Sequence, residues 1–213
     1  MKVMKRYDQV SAFILSGGVS SRMGKPKGLL EVGGQPLIVR IARLLEPLVS
    51  GVTVVGLPER YTVLGLHAID DQQFSSPVES DGTLGPLAGI ASALTTTRTD
   101  WSLILACDLP YLTGEWLDWL LARAMVSGRQ IIMPRTAGGL EPLAAVYRRE
   151  CAELIIAALR RGVRKVTNAM EKFHIEFVTE RKWRHIDPDG RVLRNMNAPE
   201  DYEEARRWLE APC

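Results

Sequence analysis

The sequence predicts an α/β fold, a single domain built on a mainly parallel sheet with helices on both faces. Two observations carry that expectation. Short apolar runs alternate with longer stretches of helical periodicity along the whole chain, and no repeat, low-complexity tract or Pro/Gly-rich linker divides residues 1–213. Strands alternating with helices imply right-handed crossovers and a parallel sheet. "SAFIL" (11–15) is a buried strand halted by Gly17 and Gly18. "QPLIVRIARLLEPLV" (35–49) is a helix with Pro36 in its first turn and Leu37, Ile41, Leu44, Leu45 and Leu48 along one face. "GVTVVG" (51–56) is a strand, "HAID" (67–70) a weaker one, and 71–86 a loop. Helix 87–97 leads to the strand "WSLILACD" (101–108), and helix 113–126 follows with Thr113 as its N-cap. "QIIMP" (130–134) and "PLAAVYR" (142–148) are strands. Helices are expected over 151–162, closed by Gly162, over 163–172, and over 198–210 with Pro199 near the start.

Composition narrows the function classes. A chain of 213 residues with 46% hydrophobic content can bury a sizeable core. A net charge of +2 gives no general reason to expect nucleic acid as a partner, which would favour a basic face or stripe. The N-terminus begins with cations, but its apolar core is only 11–15, too short for a secretory signal. No stretch approaches the ~20 apolar residues a membrane span needs, so no membrane association is expected and a cytoplasmic location is. Three widely spaced cysteines, Cys107, Cys151 and Cys213, offer neither a disulfide framework nor a zinc spacing.

Ligands of open α/β sheets bind outside the carboxyl ends of the strands, so the residues after each strand carry the chemistry. The first such stretch is "FILSGGVSSRMGKPKGLL" (13–30). Gly17 and Gly18, lacking Cβ atoms, let backbone N–H groups approach anionic oxygens. Arg22 and Lys27 add positive charge, and Ser16, Ser20 and Ser21 add neutral donors. The loop is neither GxGxxG nor GxxxxGK[ST], which removes the dinucleotide fingerprint and the Walker A loop. A solvated surface turn is the bland alternative; the order of glycine pair, Arg-Met-Gly and then Lys favours phosphate binding. The second stretch is Asp108, at the end of the most hydrophobic strand. It is either a magnesium ligand, since Mg²⁺ commonly takes one or two carboxylates plus phosphate oxygens and water, or a cap for the next helix. Thr113 lies closer to that helix and is itself a good cap.

Four ordered segments now carry a resemblance. "LSGGVSSRMGKPKGLL", "GPLAGI" (85–90), "CDLPYL" (107–112) and "NMNAPEDYEEA" (195–205) resemble the successive motifs of the molybdenum cofactor guanylyltransferase family of nucleotidyltransferases, over about 12–205. The resemblance implies a Rossmann-like nucleotidyltransferase fold and transfer of GMP from GTP to the terminal phosphate of molybdopterin, with release of pyrophosphate. It implies Lys27, Arg22 and Asp108 as catalytic residues. It assigns nucleotide contacts to Leu15, Ser16, Gly17, Gly18, Lys27, Gly85, Pro86, Leu87 and Asp108, and to Glu79 or Asp81. Magnesium would be held by Asp108 and Asn197, the latter alternatively a turn residue before Pro199. Molybdoenzyme maturation proteins are the implied partners beyond GTP and the cofactor.

Gly-Gly in the first loop with Pro-Leu-Ala-Gly in the second points to guanine within this family. The chain departs from the pattern at "GLPE" (56–59), which lacks an Asn, and at Glu141, which stands where many relatives have His before Pro. "RRGVRKV" (160–166) resembles the basic segment facing the acceptor phosphate; as plain sequence it also suits a solvated helix end. Other chemistries find no support. His67, His174 and His185 share no ligand spacing, no Ser sits in a GxSxG elbow, Cys107 reads as core, and Trp116, Trp119 and Trp208 read as packing. The alternatives are a transferase using CTP or another NTP on a different phosphorylated acceptor, and a non-catalytic nucleotide-binding protein. Intact Lys27 and Asp108 argue against the second.

Overall fold

The computed structural model describes residues 5–16, 26–71 and 85–210. Ten strands are assigned among them: β1 Val10–Leu15, β2 Glu31–Val32, β3 Gln35–Pro36, β4 Val52–Val55, β5 Ala68–Ile69, β6 Trp101–Ala106, β7 Ile131–Thr136, β8 Gly139–Leu140, β9 Ala144–Arg148 and β10 Ile175–Thr179. The α-helices are α1 Leu37–Leu45, α2 Pro58–Tyr61, α3 Gly85–Thr96, α4 Gly114–Val126, α5 Cys151–Arg160, α6 Val166–Ala169 and α7 Pro199–Glu210.

The main sheet runs β10-β7-β9-β6-β1-β4-β5, with β8 paired to the end of β7, and β2 and β3 form a separate hairpin. β1 lies parallel to β4 and β6, β4 to β5, and β7 to β10, whereas β9 is antiparallel to both β6 and β7. The sheet is therefore mainly parallel, as expected, with β9 reversed in its interior and the short β8 reversed on the end of β7.

Side-chain alternation along the central strands supplies two cores, one per face. Ala12 and Ile14 of β1, with Leu103 and Leu105 of β6, face α1, α4 and α7. Phe13 and Leu15, with Ile104, face α3 and α5. On the first side Trp183 packs between Trp116 and Trp119, at ring centroid distances of 6.0 and 5.6 Å. Trp208 of α7 meets the edge of Tyr111 at 5.2 Å, so Trp116, Trp119 and Trp208 are packing residues.

Several boundaries differ from the sequence expectation. The helix expected over 35–49 is α1, Leu37–Leu45, because Gln35 and Pro36 pair with Val32 and Glu31 in the hairpin. Pro36 is thus the N-cap, with extended backbone, and not a member of the first turn. The 163–172 helix is reduced to α6 and a 3-10 turn, Met170–Lys172. β10 was not anticipated: at the sheet edge only Val178 of its five residues is fully buried, which leaves little periodic signal. Thr113 does cap α4, its hydroxyl accepting from the Trp116 N–H at 3.3 Å.

Candidate active site

Parallel pairing brings the carboxyl ends of β1, β4 and β6 together. Ser16 N–H donates to the Val55 carbonyl at 2.9 Å, and Cys107 N–H to the Leu15 carbonyl at 3.1 Å. The residues following each strand, Ser16, Gly56 and Asp108, therefore share one edge. Ser16 hydroxyl is hydrogen-bonded to the Tyr61 hydroxyl of α2, which fixes the chain where it leaves β1. Gly17, Gly18, Arg22, Glu79 and Asp81 lie outside the described residues.

The chain returns to this edge at Gly28, wedged between Ile38 and Cys107. A Cβ there would stand 3.4 Å from Ile38 Cβ and 3.5 Å from Cys107 Cβ, ordinary van der Waals contact, so the backbone at Gly28 packs closely against both. Lys27, immediately before it, is thereby brought over Asp108. Its ammonium donates to Asp108 Oδ2 at 2.9 Å and to Asn197 Oδ1 at 2.6 Å. Both charged side chains are largely buried, 21% exposed for Lys27 and 17% for Asp108. Three residues from remote parts of the chain thus converge on one point.

Asn197 is placed by its own surroundings. Met196 N–H donates to the Asp108 carbonyl at 2.9 Å, laying this segment along the end of β6. Asp201, in the first turn of α7, accepts from the N–H groups of Asn197 and Ala198, each at 2.9 Å. This is the reach-back half of a capping box. Those two backbone donors, then the Arg194 guanidinium, hold the Asp201 carboxyl below its usual range. Arg194 also pairs with Glu204 at 2.7 Å. A turn role for Asn197 and a side-chain contact to Lys27 therefore coexist in one residue.

The second motif lies across β1. A Cβ on Gly89 would sit 3.1 Å from Leu15 Cδ1, so the glycine lets α3 pack tightly on β1. Leu15 and Leu87 point into the core, at 8% and 0% exposure, which leaves only their main chain for a ligand. Gly85 opens α3 with φ of +69°, a left-handed conformation that favours glycine, and Pro86 follows as a preset first-turn residue. The N-terminus of α3, whose first-turn N–H groups have no partner within the helix itself, is suited to an anion. The basic segment lies alongside: a Cβ on Gly85 would be 3.8 Å from the Arg164 carbonyl. Arg160, Arg161 and Lys165 of that segment are exposed.

Two acids that sequence reasoning did not assign also reach this edge. Asp71 follows β5 and accepts from the Ser92 hydroxyl of α3 at 2.8 Å; burial raises its carboxyl above the usual range. It occupies the same relation to β5 that Asp108 has to β6, and the rule that located Asp108 would have located it. Glu141 precedes β9. Leu105 pairs with Ala144 and Ala106 N–H donates to the Leu143 carbonyl at 2.7 Å, so Glu141 falls beside Asp108. The Thr136 hydroxyl donates to Glu141 Oε1 at 2.9 Å. Burial raises the Glu141 carboxyl, the Thr136 hydrogen bond offsets part of this, and the negative charges of Asp108 and Glu180 add to it. Burial, then the adjacent Asp108, push the Cys107 thiol up to about 11, which disfavours the thiolate form. Among the described residues no group of three or more His, Cys, Asp and Glu is arranged to hold a metal, and no helix is long and apolar enough to cross a membrane.

The MobA-like NTP transferase domain family matches residues 12–174. A probable molybdenum cofactor guanylyltransferase of Trichormus variabilis is 34% identical over 197 residues, covering 91% of this chain and 89% of that protein. The probable molybdenum cofactor guanylyltransferase of Pelotomaculum thermopropionicum is 32% identical, covering 95% and 94%. Among solved structures, the molybdopterin-guanine dinucleotide biosynthesis protein A of Archaeoglobus fulgidus superposes with a TM-score of 0.77 at 24% identity, covering 93% of this chain and 97% of that one. The 2-C-methyl-D-erythritol 4-phosphate cytidylyltransferase of Thermus thermophilus shares the fold at a TM-score of 0.65 and 17% identity. A match across most of the chain, with relatives at this identity along nearly all of it, makes this protein a member of the MobA-like NTP transferase family.

Proposed function

We propose that this protein transfers GMP from GTP to the terminal phosphate of molybdopterin and releases pyrophosphate. The observation that carries the proposal is the meeting of Lys27, Asp108 and Asn197 at the carboxyl edge, beside the end of β1. The names of the relatives supply the acceptor, and the "SGG" and "GPLAG" stretches supply the preference for guanine.

In the reaction an acceptor phosphate oxygen attacks the α-phosphorus. A new P–O bond forms, the bond from the α-phosphorus to the bridging oxygen breaks, and pyrophosphate leaves with that electron pair. The acceptor oxygen is already ionised, so no strong base is needed, and the barrier is the approach of two polyanions. Lys27 and Arg22 offset charge on the triphosphate, while the amides of Gly17 and Gly18 and the start of α3 at Gly85, Pro86 and Leu87 hold phosphates in line. Leu15 and Ser16 offer main-chain groups to the base, and Glu79 or Asp81 contacts the nucleotide. The exposed cations of 160–165 receive the acceptor.

Magnesium fits the residues present. Asp108 Oδ2 and Asn197 Oδ1 are hard oxygen donors that already converge on one cation, the Lys27 ammonium, and phosphate oxygens and water complete such a set. When bound, the ion supplies charge neutralisation at the phosphates. We assign the product to molybdoenzyme maturation proteins and the enzyme to the cytoplasm. Pyrophosphate release, measured with each NTP with and without molybdopterin, tests the proposal. Release is expected with GTP and acceptor together. Equal release with CTP would move the activity to a related transferase, and none with any NTP would leave a binding protein.

A further inference from the structure

The contact that marks the site also constrains how the site takes up its metal. We propose that the Lys27 ammonium and a divalent cation are alternative occupants of the Asp108 and Asn197 oxygens, so that metal is taken up with the nucleotide and not before it. The inference rests on the assignment of these two residues to the metal in the preceding subsection, and on neither GTP nor molybdopterin.

The backbone that carries the two oxygens is held from behind. Asp108 is tied through its carbonyl to the Met196 N–H, and Asn197 through its N–H to Asp201. The Lys27 backbone is held too: its carbonyl accepts from the Leu30 N–H at 3.2 Å, and the adjoining Gly28 packs against Ile38 and Cys107. What remains free to move is the four-carbon stem of Lys27, a flexible tether for a compact point charge. The ammonium lies 2.9 Å from Asp108 Oδ2 and 2.6 Å from Asn197 Oδ1. Magnesium would bind the same oxygens at ~2.0–2.1 Å. Ammonium and metal would then stand within a few ångströms of each other, both positive, in a site largely shielded from water. Asp108 Oδ1 offers the metal a second oxygen, so it is this repulsion, together with the sharing of Asp108 Oδ2 and Asn197 Oδ1, that disfavours simultaneous occupancy.

A bound triphosphate changes the balance, because its oxygens give the ammonium another partner. Lys27 can then swing to the phosphates while the metal takes Asp108 and Asn197. Nucleotide and metal thereby help each other to bind, and the coupling is reciprocal. One side chain performs both parts: it neutralises Asp108 before the substrate arrives and neutralises the phosphates afterwards.

Mn²⁺ binding to the protein alone, followed by the loss of the free-ion paramagnetic resonance signal, tests this without turnover. Lys27→Met and Lys27→Gln should each bind Mn²⁺ more tightly than the wild type. A neighbouring cation lowers a carboxylate's affinity for a proton by a factor of about ten to a thousand, and the same electrostatics lead us to expect a gain of about tenfold or more in Mn²⁺ affinity. The double variant Lys27→Met/Asp108→Asn should lose it. Melting curves verify that each variant is folded, and the Gln variant keeps a polar group in case the apolar one disturbs the edge. Lys27 variants that bind no more tightly than the wild type would overturn the proposal. So would tight binding that survives Asp108→Asn, since the ion would then sit elsewhere. No nucleotide is present, so a wrong base or acceptor would leave this result unaffected.

Discussion

Asp108→Asn separates chemistry from stability at the centre of the site. The substitution keeps shape and an oxygen that can still accept from Lys27, and removes one negative charge. At 2.9 Å the Lys27–Asp108 attraction is about 6 kcal/mol gross at the effective dielectric of partly buried pairs. Most of that is returned as the cost of taking both groups out of water, so the net contribution is about 1 kcal/mol. For a chain of 213 residues that corresponds to a melting shift of about 2–4 °C. A capping role would also predict little change, but Thr113 already caps α4, and Asp108 holds Lys27 instead. Catalysis should respond on another scale. Loss of one preorganised electrostatic group typically lowers turnover by about 10²–10³. The assay is calorimetric melting followed by pyrophosphate release across a Mg²⁺ titration. A folded Asp108→Asn protein with wild-type turnover and wild-type Mg²⁺ dependence would refute the metal role.

Glu141→Gln gives a pH-dependent stability change of predictable sign. Burial raises the folded carboxyl above the ordinary value of about 4.3, so between that value and its raised one the native state holds a proton the unfolded chain lacks. Its stabilising part is therefore full below about pH 4 and lost as pH rises, and Gln should melt above wild type at neutral pH, the gap closing towards about pH 4. A gap that is constant or widens on acidification would contradict this. Asp201→Ala removes the acceptor of the Asn197 and Ala198 N–H groups and one partner of Arg194. By the usual cost of a lost helix cap it should destabilise by about 1–2 kcal/mol, and by loosening Asn197 it should raise the Mg²⁺ concentration needed for half-maximal turnover. Unchanged melting and unchanged Mg²⁺ dependence would show that α7 does not position Asn197.

The parts of the fold legible in the sequence are those specified locally. "WSLILA" is apolar apart from the buried Ser102 because both faces of β6 are covered, and Thr113 followed by a helical pattern marks α4 without reference to the rest of the chain. The hairpin of β2 and β3 was hidden because Pro36 is as suitable for a first helical turn as for the strand position it occupies opposite Glu31. Lys27 is 81 residues from Asp108 and 170 from Asn197, so no periodicity connects them. Only the ordered motifs hinted that they meet. Asp71 was readable by position and was passed over for Glu79 and Asp81, which stand nearer the second motif.

Glu141 is visible in the sequence as a departure from the family pattern, but its place beside Asp108 is not, and the reason lies in the topology. Inspecting the residues after each strand finds the ligand edge only when every strand runs the same way. β9 runs against β6 and β7, so the residues before it reach the carboxyl edge, while Arg148 at its end lies opposite Trp101 at the far edge. Nothing in "PLAAVYR" encodes that direction, since a strand buried on both faces reads the same either way. What encodes it is the shortness of the link from β7: β8 turns back on β7 at Gly139, and only residues 141–143 separate β8 from β9. A parallel return would need a crossover of a dozen residues or more. The connection is too short for one, and that shortness is what sets a carboxylate beside Asp108.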